Sequence, residues 1–121
     1  MKAAPQRIKK TPGGITLEVQ VFLVPEGKQI VAYCPALELS TYGDSQEDAK
    51  GAFSEVLASF IQDTQAKGTL EKVLLELGWK LQQKPVVNYE PPAPSMDFLN
   101  AIGKSQQNFQ TITQPMTLSF A

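Results

Sequence analysis

The hydrophobic period of this chain changes once in its central stretch, and that change limits the folds open to it. From Ile15 to Leu23 apolar residues stand at every second position. Ile15, Leu17, Val19, Val21 and Leu23 share one face, with Thr16, Glu18 and Gln20 on the other. That two-residue period belongs to a half-buried strand. Phe22 and Val24 interrupt the polar face, so the end of this strand is expected to be covered on both sides. From Ala49 the spacing becomes three and four, through Phe53, Val56, Leu57, Phe60 and Ile61, the stripe of an amphipathic helix. Strands followed by one long helix are expected to bury their apolar sides against each other.

The connections between these patterns read from local chemistry. Pro25-Glu26-Gly27-Lys28 supplies turn residues, and Gln29 to Cys34 reads as the returning strand of a hairpin. Pro35 cannot donate to a ladder and is expected to end or bulge that strand. Leu37, Leu39 and Thr41 alternate with Glu38, Ser40 and Tyr42 as a short third strand. At Gly43-Asp44-Ser45-Gln46-Glu47, Asp44 is expected to cap the helix while Glu47 reaches back to the cap amide. The helix is expected to run to about Lys67 and stop at Gly68. A second, short helix carries Leu70, Val73, Leu74 and Leu77 and ends at Gly78. Trp79-Lys80-Leu81 reads as a short strand or anchor, with Trp79 closing one side of the core. The expected fold class is α+β: a three-stranded antiparallel meander packed by one long helix, then a short helix and a short strand.

The flanks differ in composition. Residues 1–14 carry Lys2, Arg7, Lys9 and Lys10 ahead of Thr11-Pro12-Gly13-Gly14 and read as a flexible basic arm, solvated or touching phosphate. Residues 15–81 form the expected α/β domain. Residues 82–121, with Pro85, Pro91, Pro92 and Pro94, read as a Pro/Gln-rich extension. Within it Phe98, Leu99 and Ile102 suggest one apolar helical turn. Thr111-Ile112-Thr113 and Met116-Thr117-Leu118-Ser119-Phe120 alternate like strands, so a C-terminal docking strand is expected. It would cover an edge of its own sheet or of a neighbouring copy.

Composition narrows the chemistry. Among 121 residues there is no histidine and one cysteine, Cys34. No Ser-His or Cys-His pair can form, and no imidazole can ligate zinc or act as a base near neutral pH. Neither a cofactor nor a metal site is expected. Asp44, Glu47 and Asp48 read as helix capping rather than as a metal cluster. No apolar run approaches the roughly 20 residues of a membrane span. The charged N-terminus lacks a signal-peptide centre, so a reducing cytoplasm is expected. Residues 15–81 hold five basic residues against ten acidic ones, a net of −5. That sign opposes phosphate binding, so nucleic acid is not the expected partner.

The ordered set Tyr33-Cys34-Pro35-Ala36-Leu37, then Thr41-Tyr42-Gly43-Asp44-Ser45, then the acidic, Ala-containing helix entry Gln46-Glu47-Asp48-Ala49 resembles HicB-like antitoxin domains. The resemblance covers roughly Ile15 to Leu81. Where many members carry Gly-Cys after the Pro segment this chain has Glu38-Leu39. Residues 82–121 show no pair of amphipathic helices, so a solitary domain without a DNA-binding partner domain is expected. The resemblance implies a fold related to the double-stranded-RNA-binding type, homodimers or larger assemblies, and inhibition of a small basic HicA-like, RNA-cleaving toxin by occlusion. Double-stranded-RNA binding, or a regulatory oligomer without a toxin, are the alternatives it leaves.

The candidate interface residues are Tyr33 and Tyr42, with Met116, Leu118 and Phe120 of the C-terminal strand. Alternation puts Tyr33 on the opposite face from Ala32 and Cys34, and tyrosine combines large apolar area with a polar tip. Half-buried sheet aromatics would read the same way. Cys34 reads as a packed core thiol, since no cation stands beside it in sequence.

Overall fold

The computed structural model describes residues 6–11, 13–82, 88–92 and 110–119. Among these residues it is α+β, with two helices and a seven-stranded antiparallel sheet. In chain order the elements are β1 Arg7–Thr11, β2 Gly14–Glu26, β3 Gln29–Cys34, β4 Leu39–Gly43, α1 Gln46–Ala66, α2 Leu70–Glu76, β5 Lys80–Gln82, β6 Asn88–Glu90 and β7 Gln110–Ser119.

The long alternating segment became the 13-residue β2, and every other element of the sheet is organised by it. β7 lies along one edge of β2, from Gly14↔Ser119 to Leu23↔Gln110. β1 pairs with the first part of β2, from Thr11↔Gly14 to Arg7↔Glu18, and β3 with the last part, from Phe22↔Tyr33 to Glu26↔Gln29. Because β7 already pairs with Gly14 through Leu23, overlapping both the β1 and the β3 registers, β1 and β3 must share the opposite edge, end to end. The sheet therefore forks. One branch continues β3–β4, the other β1–β6–β5. In the gap between the branches the Gln20 amide donates to Gln6 Oε1 at 2.8 Å, so a side chain supplies the bond no strand makes there.

Two of the expected boundaries need correction. Arg7–Thr11, read as part of a flexible arm, is a strand: Ile8 is fully buried opposite Leu17 and Tyr89, and its burial fixes the neighbouring basic residues to the sheet. Residues 82–121 likewise are not all extension, since β6 and β7 are strands of the same sheet. The expected three-strand meander is thus the β2–β3–β4 part of a larger sheet. The turn Phe98-Leu99-Ile102 lies outside the described residues.

The β2–β3 hairpin is tighter than Pro25-Glu26-Gly27-Lys28 suggested. Glu26 pairs with Gln29, leaving Gly27 (φ +61) first in a two-residue loop, the type II′ position that favours glycine. The third strand starts at Leu39, because Pro35–Glu38 forms a turn with Glu38 at φ 53. Leu37 and Glu38 donate there to the carbonyls of Cys34 and Pro35, both at 3.3 Å.

The helix entry is shifted by one residue. Ser45, not Asp44, is the N-cap, and its Oγ accepts from the Asp48 amide at 3.1 Å. Asp44 and Ser45 together bridge the short step from β4 into α1. Gly43 explains why that step is so short: a Cβ there would lie 2.5 Å from the Ala49 nitrogen and 2.7 Å from the Asp48 carbonyl carbon. These contacts are backbone atoms that cannot swing aside. Gly43→Ala is therefore expected to cost about 1–3 kcal/mol as β4 and α1 are pushed apart. Urea denaturation of the two proteins measures it.

Both helices stop by one mechanism. Thr69 N–H reaches Thr64 O (2.8 Å) and Gly68 N–H reaches Gln65 O (3.1 Å); Trp79 to Leu74 (2.9 Å) and Gly78 to Leu75 (3.1 Å) repeat the pattern. Gly68 and Gly78 sit at φ 68 and 99 in these Schellman turns. The second turn delivers Trp79 into the core at 2% exposure, where its indole Nε1 donates to Ala36 O at 2.7 Å. Ala36 belongs to the β3–β4 branch and Trp79 leads into β5, so this bond ties the two branches of the fork.

Candidate functional site

The two faces of the sheet differ in what covers them. The odd residues of β2, Ile15 to Leu23, are at most 1% exposed and form the core with Phe53, Leu57 and Ile61 of α1. Register carries that inner face across the sheet to Ile8, Tyr89, Ala32 and Cys34. The even residues of β2 point the other way, where no helix packs among the described residues.

On that outer face the β2–β3–β4 branch gathers an uncharged apolar patch. Phe22 pairs with Tyr33, Val24 with Val31, and Val31 with Tyr42. Phe22, Val24, Val31 and Tyr33 are half-buried and Tyr42 is 62% exposed. Tyr33 and Tyr42 therefore lie diagonally across adjacent strands, close enough for side chains of this size to act on one ligand. Two residues beyond Tyr42 the chain enters α1, with Asp44, Glu47 and Asp48 exposed.

The sequence-derived interface residues divide accordingly. Tyr33 and Tyr42 share the outer face. Met116 and Leu118 are on the inner face, opposite Leu17 and Ile15, half-buried against the core, so they are not part of the same surface. Phe120 lies outside the described residues. Phe22 and Val24, which interrupt the polar face of β2, and Val31 of β3 share this outer face with the two tyrosines.

The comparisons with known proteins add no identity. No family model, curated protein or solved structure matches the chain. The reading of the site therefore rests on its own chemistry.

Among the described residues no three His, Cys, Asp or Glu side chains stand together as a metal site needs. Cys34 is fully buried, and burial pushes its thiol up to about 11, against a smaller opposing pull from the Leu37 and Ala36 amides. Tyr33 is raised by burial, then by Glu38 and Cys34; Tyr89 is raised by burial, then by Glu71.

A raised acidic group favours the folded state until its unfolded counterpart ionises. The contribution of Cys34 is intact below pH 9 and is lost between pH 9 and about 11, a fall of about 3 kcal/mol. The two tyrosines add a fall in the same direction at still higher pH. Urea midpoints across pH 8–11 are expected to drop, and Cys34→Ala is expected to remove the earlier part of that drop. At pH 8 the native thiol is expected to resist a thiol reagent until the chain is unfolded.

Proposed function

We propose that this chain is a non-catalytic protein-binding module that docks a small basic protein on the outer face of its sheet. The observation that carries this reading is the uncharged outer-face patch of Phe22, Val24, Val31, Tyr33 and Tyr42. An apolar centre with aromatic anchors is the usual composition of the core of a protein interface. The net charge of −5 over residues 15–81 favours a partner of the opposite sign and speeds its approach.

The resemblance to HicB-like domains supplies the partner class: a short, basic, RNA-cleaving toxin, blocked by occlusion in the cytoplasm. No helix among the described residues is long and apolar enough to cross a membrane. Self-association, which the resemblance also implies, would compete for the same open face. The alternative, RNA binding, is weakened by the register that sets Arg7 opposite Glu18, matching one of the few cations on this face with an anion.

The test is a titration of a short basic toxin-like protein encoded beside this chain's gene. Its RNA cleavage is expected to fall to zero at a fixed ratio of added chain, with affinity weakening as salt rises. Tyr42→Asp is expected to weaken binding at least about tenfold without loss of fold, because the side chain is largely exposed. Undiminished cleavage in excess chain would rule out the occlusion role. A gel shift with double-stranded RNA that fades steeply with salt would favour the alternative.

A further inference from the structure

β7 is a ten-residue strand whose only strand partner among the described residues is β2, so its second edge is open there. An open edge presents backbone donors and acceptors to any passing strand, including another copy of the same chain. Proteins usually guard such edges with charge or by keeping them short. The outer strands of the two branches, β4 and β5, follow the second rule at five and three residues. β7 follows neither rule. Gln110–Ser119 contains no charged residue and is rich in threonine and apolar side chains, the composition of a segment prone to cross-strand assembly.

One residue interrupts it. Pro115 stands opposite Glu18 near the middle of the strand. In an antiparallel ladder the residues of a strand bond alternately to one side and the other. The Gln20 amide points away from β7, to Gln6, so the even residues of β2 bond toward β1 and β3. The odd residues of β2 bond toward β7, and their partners there are Gln110, Ile112, Gln114, Met116 and Leu118. It follows that Thr111, Thr113, Pro115 and Thr117 turn their backbone groups to the open edge. Proline has no N–H, so at this parity its place in β2's ladder costs nothing, and the missing donor falls at the centre of the open edge.

We infer that Pro115 is the guard of this edge: it prevents strand addition between copies of this chain along β7. A two-fold pairing of β7 with β7 centred on Pro115 loses both central bonds. Shifting the register leaves one carbonyl of each copy facing a missing donor. The proline thus blocks the long, uncharged edge while leaving β7 bonded to β2.

Residue-resolved amide exchange on the full chain tests the inference. Ile112, Gln114, Met116 and Leu118 are expected to be protected, and Thr111, Thr113 and Thr117 to exchange at nearly open-chain rates. Pro115→Thr restores the donor. Its weight-average mass by light scattering is expected to climb with concentration relative to the native chain, with Thr113 and Thr117 gaining protection in parallel. Pro115→Ala serves as the second variant should the threonine chain fail to fold. Protected Thr113 and Thr117 amides in the native chain would overturn the inference. So would a folded variant whose mass tracks the native protein at every concentration.

Discussion

A chain ended at Leu81 is expected not to fold, although that end point keeps the whole β2–β3–β4–α1–α2 pattern. The cut removes Tyr89, which is 1% exposed and paired with Ile8 and Leu81, and it strips β7 from the edge of β2 between Gly14 and Leu23. Ile112, Met116 and Leu118 leave with β7, uncovering the inner face beside Val21, Leu17 and Ile15. Tyr89 at about 3 kcal/mol and those three half-buried side chains at about 1 kcal/mol each sum to about 6 kcal/mol. A small domain has roughly 5–15 kcal/mol in all. Far-UV circular dichroism through a urea titration is the measurement. No cooperative transition is expected in the truncated chain, and a transition with the native midpoint would show that Tyr89 and β7 are dispensable to the core.

The second large effect belongs to Trp79. Its ring fills the junction between the branches, and its indole N–H satisfies the Ala36 carbonyl at 2.7 Å. Trp79→Ala removes both and is expected to cost about 4 kcal/mol, near the middle of the range for deleting a buried aromatic. Trp79→Phe keeps most of the ring but orphans the carbonyl, and is expected to cost about 1–3 kcal/mol. Because Trp79 is the sole tryptophan, both variants have to be followed by circular dichroism rather than by fluorescence. A cost below about 1 kcal/mol for Trp79→Ala would mean the branches hold together without this staple.

The elements that could be read from sequence were those whose signal is local. The alternation from Ile15, the glycine at the β2–β3 turn, the stripe along α1 and the stops at Gly68 and Gly78 each involve neighbours within a few residues. The cap was misplaced by one position because Asp44 and Ser45 are both good caps, and the close passage of Gly43 against Asp48 and Ala49 is a tertiary fact. β1 was missed because Lys9 and Lys10 mask a strand whose only buried apolar anchor is Ile8. β6 is three residues long, too short to show a period, and prolines surround it. β7 showed two alternating pieces, and Pro115 hid their continuity; its tolerance there depends on which edge is open, which only the pairing reveals. The same dependence explains the divided interface. Strand alternation correctly set Tyr33 and Tyr42 apart from the core. Whether Met116 and Leu118 share their face depends on the long-range register with β2, and no local pattern encodes it.

The central claim is that the Tyr33–Tyr42 face is where a partner binds, and a photo-crosslinking amino acid placed at position 42 tests it most directly. The control position is Leu75, which is 46% exposed on α2, away from that face. In host cells one small, basic adduct is expected from position 42 and none from position 75, with the position-42 adduct lost when Tyr33→Asp is added. Equal labelling from both positions, or no adduct from position 42 while the chain is bound to its partner, would contradict it.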